Sequence, residues 1–174
     1  MRHSSENRPV LKIVLTKFDY ALELAALLGI LFTWIVPLII FRQLPDTIPT
    51  HFGLDGKADD WGSKITIFIV PVISFLLAIG LSILNKFPHI FNYPIKLTEE
   101  NVLQLYLKAT RMLRVIKLIV VLLFSWIEWQ ICNISNNSRL PVWFLPLVII
   151  IPIVLPVVMA FTLTNKPFSG KREK

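Results

Sequence analysis

The sequence predicts an all-α integral membrane protein with four transmembrane helices, a compact extracytoplasmic loop and a cytoplasmic amphipathic helix. Three observations predict it. Apolar residues make up 55% of the 174, with a mean hydropathy of +0.66, above the apolar share of roughly 45–50% in soluble domains. Only 17% of residues are charged, too few to cover that apolar surface in water. The apolar residues also fall into four runs, 20–41, 65–84, 112–132 and 142–163. Each is about 20 residues long, enough to cross about 30 Å of hydrocarbon as a helix.

The N-terminal segment 1–19 is polar and basic, with Arg2, Arg8, Lys12 and Lys17. The run behind it is too long for a signal-peptide core and ends in IIFRQLP, without a small-residue cleavage site, so it reads as a retained span. Helices of a soluble bundle would carry a polar stripe; the first, second and fourth runs carry none. The third is less uniform, with Arg114, Lys117 and Glu128. Pro37, Pro71, Pro146, Pro152 and Pro156 fall inside the spans, where each removes a backbone donor and tends to kink the helix. The freed carbonyls need partners, which argues that the spans pack together.

Between the second and third spans, residues 85–111 form a connection with its own structure. An aromatic, proline-bearing turn over 87–94 comes first. Thr98 reads as an N-cap, with Glu99 and Glu100 where a helix dipole favours acids. The following helix sets Val102, Leu103, Tyr106 and Leu107 against Glu99, Gln104, Lys108 and Arg111. It is expected to lie on the membrane surface and run into the third span, with Arg111, Arg114 and Lys117 reaching back to headgroups. Two further spans over 112–163 and a basic tail over 164–174 complete the chain.

Lysine and arginine set the orientation. The N-terminal segment carries four, the stretch 85–117 six and the tail four, against three in the loop 42–64 and one in 133–141. The positive-inside rule places both termini in the cytoplasm of a multi-pass cell-membrane protein and turns the loop 42–64 outward. Trp126, Trp129 and Trp143 then fall near the outer ends of spans, as an interfacial aromatic belt does. The same partition accounts for the net charge of +7. No nucleic-acid-binding pattern accompanies that charge, so nucleic acid is excluded as a partner and the bilayer is the expected one. The single cysteine, Cys132, excludes an internal disulfide and a cysteine metal cluster; at the end of an apolar run it reads as a packed thiol.

The loop 42–64, RQLPDTIPTHFGLDGKADDWGSK, is the chemically varied part of the chain. Pro45 and Pro49 stiffen its entry. Asp55-Gly56 is a tight-turn signal, and the short extended pieces around it predict a small hairpin with Ile48, Phe52 and Leu54 pressed onto the bilayer. His51 with Asp46, Asp55, Asp59 and Asp60 suggests a metal site of His51, Asp55 and Asp59. The bland alternative is a histidine bonded within the loop beside a solvated acidic face. His51 is also suited to sensing pH. Asp59 is placed to hold Lys64 or Arg42. Glu128, an ionisable group inside a span, is a functional candidate by position, or a structural one if Lys64, Arg42 or Arg139 meets it.

Leu44, Pro45, Ile48, Pro49, His51, Phe52, Gly56, Asp59, Trp61, Ser63 and Lys64, set between two spans, resemble the signature of domain-of-unknown-function family 1648. The resemblance covers about residues 20–84. The domain also occurs in SdpI-type toxin immunity membrane proteins of bacteria, which resist a secreted peptide and hold a repressor at the membrane. It therefore implies an extracytoplasmic peptide ligand and a cytoplasmic repressor as partners. The second-half signature of those proteins does not follow residue 84, so the architecture and the outward loop are what carry over.

The function expected is that of a non-enzymatic membrane protein without a cofactor, serving toxin immunity or envelope sensing. His51, Phe52, Asp59, Trp61 and Lys64 would bind the ligand, and Pro45, Pro49 and Gly56 would shape the loop. The alternative is a membrane enzyme or metal-dependent hydrolase built on His51 and nearby carboxylates. A channel or transporter subunit ranks last, because three of the spans are too apolar to line a polar path.

Overall fold

A computed structural model describes residues 8–133, 139–141, 143–144, 146, 148–151, 154, 157–158 and 161. The chain is mostly helical. Among the described residues, three stretches are long and apolar enough to cross a membrane, Lys17–Ile40, Lys64–Leu84 and Val102–Asn133. The fourth predicted span, with Pro152 and Pro156, and the tail 164–174 lie largely outside the described residues. Of the fourth run, Trp143 lies in a turn and the other described residues, Phe144 and Ile149 among them, are helical.

Helix α1, Lys17–Ile40, starts three residues before its apolar run because Thr16 and Asp19 close a capping box. Asp19 Oδ2 accepts from the Thr16 backbone N–H at 2.9 Å, and the Asp19 N–H donates to Thr16 Oγ1 at 3.3 Å. After α1 the chain forms a two-stranded antiparallel sheet, β1 (Thr47–Phe52) and β2 (Ala58–Ser63). Among the described residues this hairpin is the one sheet. A 3₁₀ turn, Lys64–Phe68, leads into α2, Ile69–Leu84. Pro71 falls in the first turn of α2, where its missing N–H has no intrahelical acceptor to lose; the expected kink gives way to this 3₁₀ entry.

The connection to α3 contains a second 3₁₀ turn, Pro88–Ile90. Arg8 holds it from the N-terminal arm, donating to the His89 and Phe91 carbonyls at 3.1 and 2.6 Å. The Tyr93 hydroxyl donates to Pro88 C=O at 2.9 Å, and its ring stacks on Tyr106 at 5.7 Å. Burial of Tyr93 raises its pKa well above the ordinary phenol value. Helix α3, Val102–Asn133, is a single run of 32 residues joining the expected surface helix to the third span. Thr98 does not cap it through its side chain. Instead Asn101 Oδ1 accepts from the Thr98 N–H at 2.8 Å, and Val102 N–H donates to Thr98 C=O at 3.0 Å. The buried face of this segment is Val102, Leu105, Tyr106 and Ala109, while Leu103 is exposed.

Helix α3 packs chiefly on α1 and secondly on α2, while α1 and α2 touch each other less. The α1–α3 seam is close because Gly29 has no side chain. A β-carbon there would stand 2.6 Å from Val121 Cγ1, and Ser125 Oγ donates to the Gly29 carbonyl at 3.2 Å. Lower in the seam, Arg111 Nε donates to Asp19 Oδ1 at 2.9 Å. Arg114 lies 3.3 Å from Glu23, and Lys117 donates to Glu23 and, at 2.9 Å, to Ser82 Oγ of α2. The three basic residues were expected to reach for headgroups. Two carboxylates one turn apart on α1 pair with them instead, Arg114 and Lys117 buried in the bundle and Arg111 half-exposed at its edge, as charged groups within spans commonly pair with one another.

Candidate functional site

The candidate site is the hairpin between α1 and α2. Ile48 and Pro49 are buried on β1 and anchor it. The ladder pairs Thr47 with Ser63 and Pro49 with Trp61, then shifts register on either side of His51, which pairs with Asp60. Proline has no N–H to give a ladder, and the irregularity begins at the residue after Pro49. At the tip, Gly53 N–H donates to Lys57 C=O at 2.8 Å and Gly56 N–H to Gly53 C=O at 2.9 Å. Gly56 has φ +75°, a left-handed backbone that glycine adopts without steric cost.

The tip is held from outside the hairpin. Leu140 N–H donates to Gly56 C=O at 2.7 Å, and Lys57 forms an isolated antiparallel bridge with Arg139. The segment after α3 is thus laid against the loop. At the base, Lys64 N–H donates to Asp46 C=O at 2.9 Å and Lys64 Nζ to Asp46 Oδ1 at 3.0 Å. The Lys64 ammonium also lies 5.5 Å over the Phe41 ring. Trp34 and Phe41 meet Phe68 just beneath, so the hairpin stands on an aromatic layer at the end of the spans.

Between the braced tip and base stand the exposed groups. His51 Nδ1 lies 2.6 Å from Asp59 Oδ1, with both side chains more than half exposed. This pairing fixes the imidazole and leaves its other nitrogen, Nε2, to a partner from solvent. Trp61 is 52% exposed, and Phe52 is half-buried. Asp59 therefore takes His51 rather than Lys64 or Arg42, and Lys64 takes Asp46.

Asp55 turns into its own turn. Its carboxylate accepts from the Lys57 backbone N–H at 3.1 Å, with the Lys57 ammonium at 3.4 Å. These contacts hold its carboxyl below the usual carboxylate range. The trio His51, Asp55 and Asp59 is not assembled as a metal site: among the described residues, no three metal-ligating side chains gather. Leu54 is 89% exposed at the tip, whereas Ile48 is the buried apolar anchor. Pro45 is exposed and Pro49 buried.

Glu128 is separate from the hairpin. It is fully buried, its Oε1 meets the Cys132 thiol at 3.8 Å, and its Oε2 has no hydrogen-bond partner. No contact joins it to Lys64, Arg42 or Arg139 among the described residues. Above it Trp126 stacks on Phe144 with ring centroids 4.0 Å apart, beside Trp143 at 5.5 Å. These rings tie α3 to the fourth run.

The charged cluster Asp19, Glu23, Arg111, Arg114 and Lys117 went unrecognised in sequence reasoning as one unit. Its signal was present: acids at spacing four on one span, and bases at spacing three on another, each fall on a single helix face.

A protein of Archaeoglobus fulgidus described as "Uncharacterized protein" is 27% identical to this chain over 161 residues, covering 84% of this chain and 87% of its own length. No solved structure matches. The family model described as "Domain of unknown function (DUF1648)" matches residues 28–75, which run from the middle of α1 through the hairpin into α2. The segment that holds the hairpin is thus the one that matches the DUF1648 model, as its loop motif suggests.

Proposed function

We propose that this is a non-enzymatic, multi-pass cell-membrane protein of four spans, with both termini cytoplasmic, whose outward hairpin recognises an extracytoplasmic peptide. The observation that carries the reading is the exposed His51–Asp59 pair at 2.6 Å, on a hairpin braced at the tip by Leu140 and at the base by Asp46 and Lys64. A braced loop loses little conformational freedom on binding, and exposed aromatic and paired polar groups are what recognition surfaces use. Trp61 supplies the aromatic surface, and Phe52 the adjoining apolar one. Toxin immunity or envelope sensing, with a cytoplasmic repressor as downstream partner, is the role suggested by the resemblance of the loop.

The test is panning of a phage-displayed random peptide library on the protein in lipid nanodiscs. Peptides should be enriched on the parent and lost on His51→Ala and on Trp61→Ala, with both variants present in membranes at parental levels. Enrichment that both variants retain would overturn the proposal.

The short His51–Asp59 contact also suits a general base, because a carboxylate on one imidazole nitrogen orients the other. Stoichiometric zinc in the purified parent, absent from His51→Ala, would bring forward the alternative of a metal-dependent hydrolase.

A further inference from the structure

A pocket of about 240 Å³ opens between α1 and α2 at the end of the spans opposite the hairpin. Its polar end is formed by Glu23, Ser82, Lys86 and Lys117, and its apolar wall by residues such as Ala26, Ile30, Phe75 and Ala78. The order along the helices gives the pocket a direction. From Glu23 to Ile30 on α1, and from Lys86 back to Phe75 on α2, the lining passes from charged residues at the span ends to apolar residues in mid-span. A headgroup above an acyl chain has the same order along the membrane normal.

The charge at the polar end favours an anion. Glu23 is the one carboxylate among the lining residues, and it is already engaged by Lys117 and by Arg114 from behind. Lys86 is exposed and makes no ion pair among the described residues. Ser82 Oγ accepts from Lys117 and donates to the Ala78 carbonyl at 2.7 Å. It leaves Lys86 as the group free to meet a ligand. Two helices that touch each other little leave the groove open, because α3 does most of the packing for both.

We infer that this groove is a binding site for an anionic phospholipid, its phosphate on Lys86 beside the Lys117–Glu23–Arg114 cluster and one acyl chain lying along Ala26, Ile30, Phe75 and Ala78. The site would make the bundle's seam at that membrane face sensitive to lipid charge, since basic pockets between spans select acidic headgroups. It needs only that the helices cross a membrane, and stands whether or not the hairpin binds a peptide.

The experiment is native mass spectrometry of the full-length protein released from nanodiscs of equal parts phosphatidylglycerol and phosphatidylcholine. The parent should retain phosphatidylglycerol in clear excess. Ala78→Trp, which fills the groove, should lose bound lipid. Lys86→Gln should keep lipid but bring the two kinds to about equal retention. Leu76→Trp, on the exposed face of α2, should behave as the parent and shows that a tryptophan on the surface of this helix does not itself displace lipid. Equal retention of both lipids by the parent, or unchanged selectivity in Lys86→Gln, would overturn the inference. So would an Ala78→Trp protein that keeps its lipid but changes oligomeric state, which would assign the groove to a second copy of the chain.

Discussion

A β-carbon on Gly56 would stand 2.3 Å from the Leu140 carbonyl oxygen, on a backbone whose φ is +75°. Both facts argue against any side chain there. The left-handed conformation costs an L residue about 1 kcal/mol or more, and the contact would push the hairpin away from the segment that receives it. Gly56→Ala should therefore destabilise the protein by about 2 kcal/mol and release the Leu140 N–H bond to Gly56. Thermal unfolding in detergent and amide exchange at Leu140 check the two effects separately. Gly80 is the internal control. Nothing lies within 4 Å of a β-carbon built there, and it sits inside α2, so Gly80→Ala should be neutral or stabilise by up to about 1 kcal/mol. If Gly56→Ala were as mild as Gly80→Ala, the hairpin would not depend on its docking to Leu140.

At the scale of elements, the seam between α1 and α3 combines close backbone approach with fixed charge. Without a hydrophobic drive between helices in lipid, packing and polar contacts must hold them. Gly29 against Val121 and Ser125 supplies the first, and the Asp19 and Glu23 pairs supply the second. Val121 is branched at Cβ and has little rotamer freedom in a helix, so it cannot move aside for a methyl group. Gly29→Ala should cost about 1–3 kcal/mol by overpacking, and Gly29→Ala with Val121→Ala should recover most of it, read by denaturant unfolding in micelles. Independent, additive losses in the double variant would show that the two residues are not in contact.

Much of this element plan was legible in the chain. The apolar runs marked three spans to within a few residues, except that α3 begins ten residues before its run. Asp55-Gly56 marked the hairpin turn. Partners across the bundle were not legible. Nothing local says that Asp59 takes His51 while Lys64 takes Asp46, or that Arg114 and Lys117 turn inward to Glu23, because those choices depend on which helix faces which.

For the whole molecule, orientation is the property on which a peptide-recognising hairpin depends. The helices fix which ends lie together: the hairpin joins the ends of α1 and α2 at one face, while the connection holding Lys96 and the start of α3 lies at the other. Lysine and arginine are concentrated in the N-terminal segment, the connection and the tail, and the positive-inside rule is the ground for the proposal that this face is cytoplasmic. Single cysteines in a Cys132→Ser background test this with a membrane-impermeant maleimide on intact cells. Asp60→Cys, on the exposed edge of β2, should be labelled directly, whereas Lys96→Cys should be labelled only after lysis. Lys171→Cys, in the tail, reports on the fourth span: it should behave as Lys96→Cys if the run 142–163 crosses the membrane, and as Asp60→Cys if it does not. Labelling of Lys96→Cys rather than Asp60→Cys on intact cells would put the hairpin in the cytoplasm, where His51, Asp59 and Trp61 could meet no secreted peptide, and the recognition proposal would fall with it.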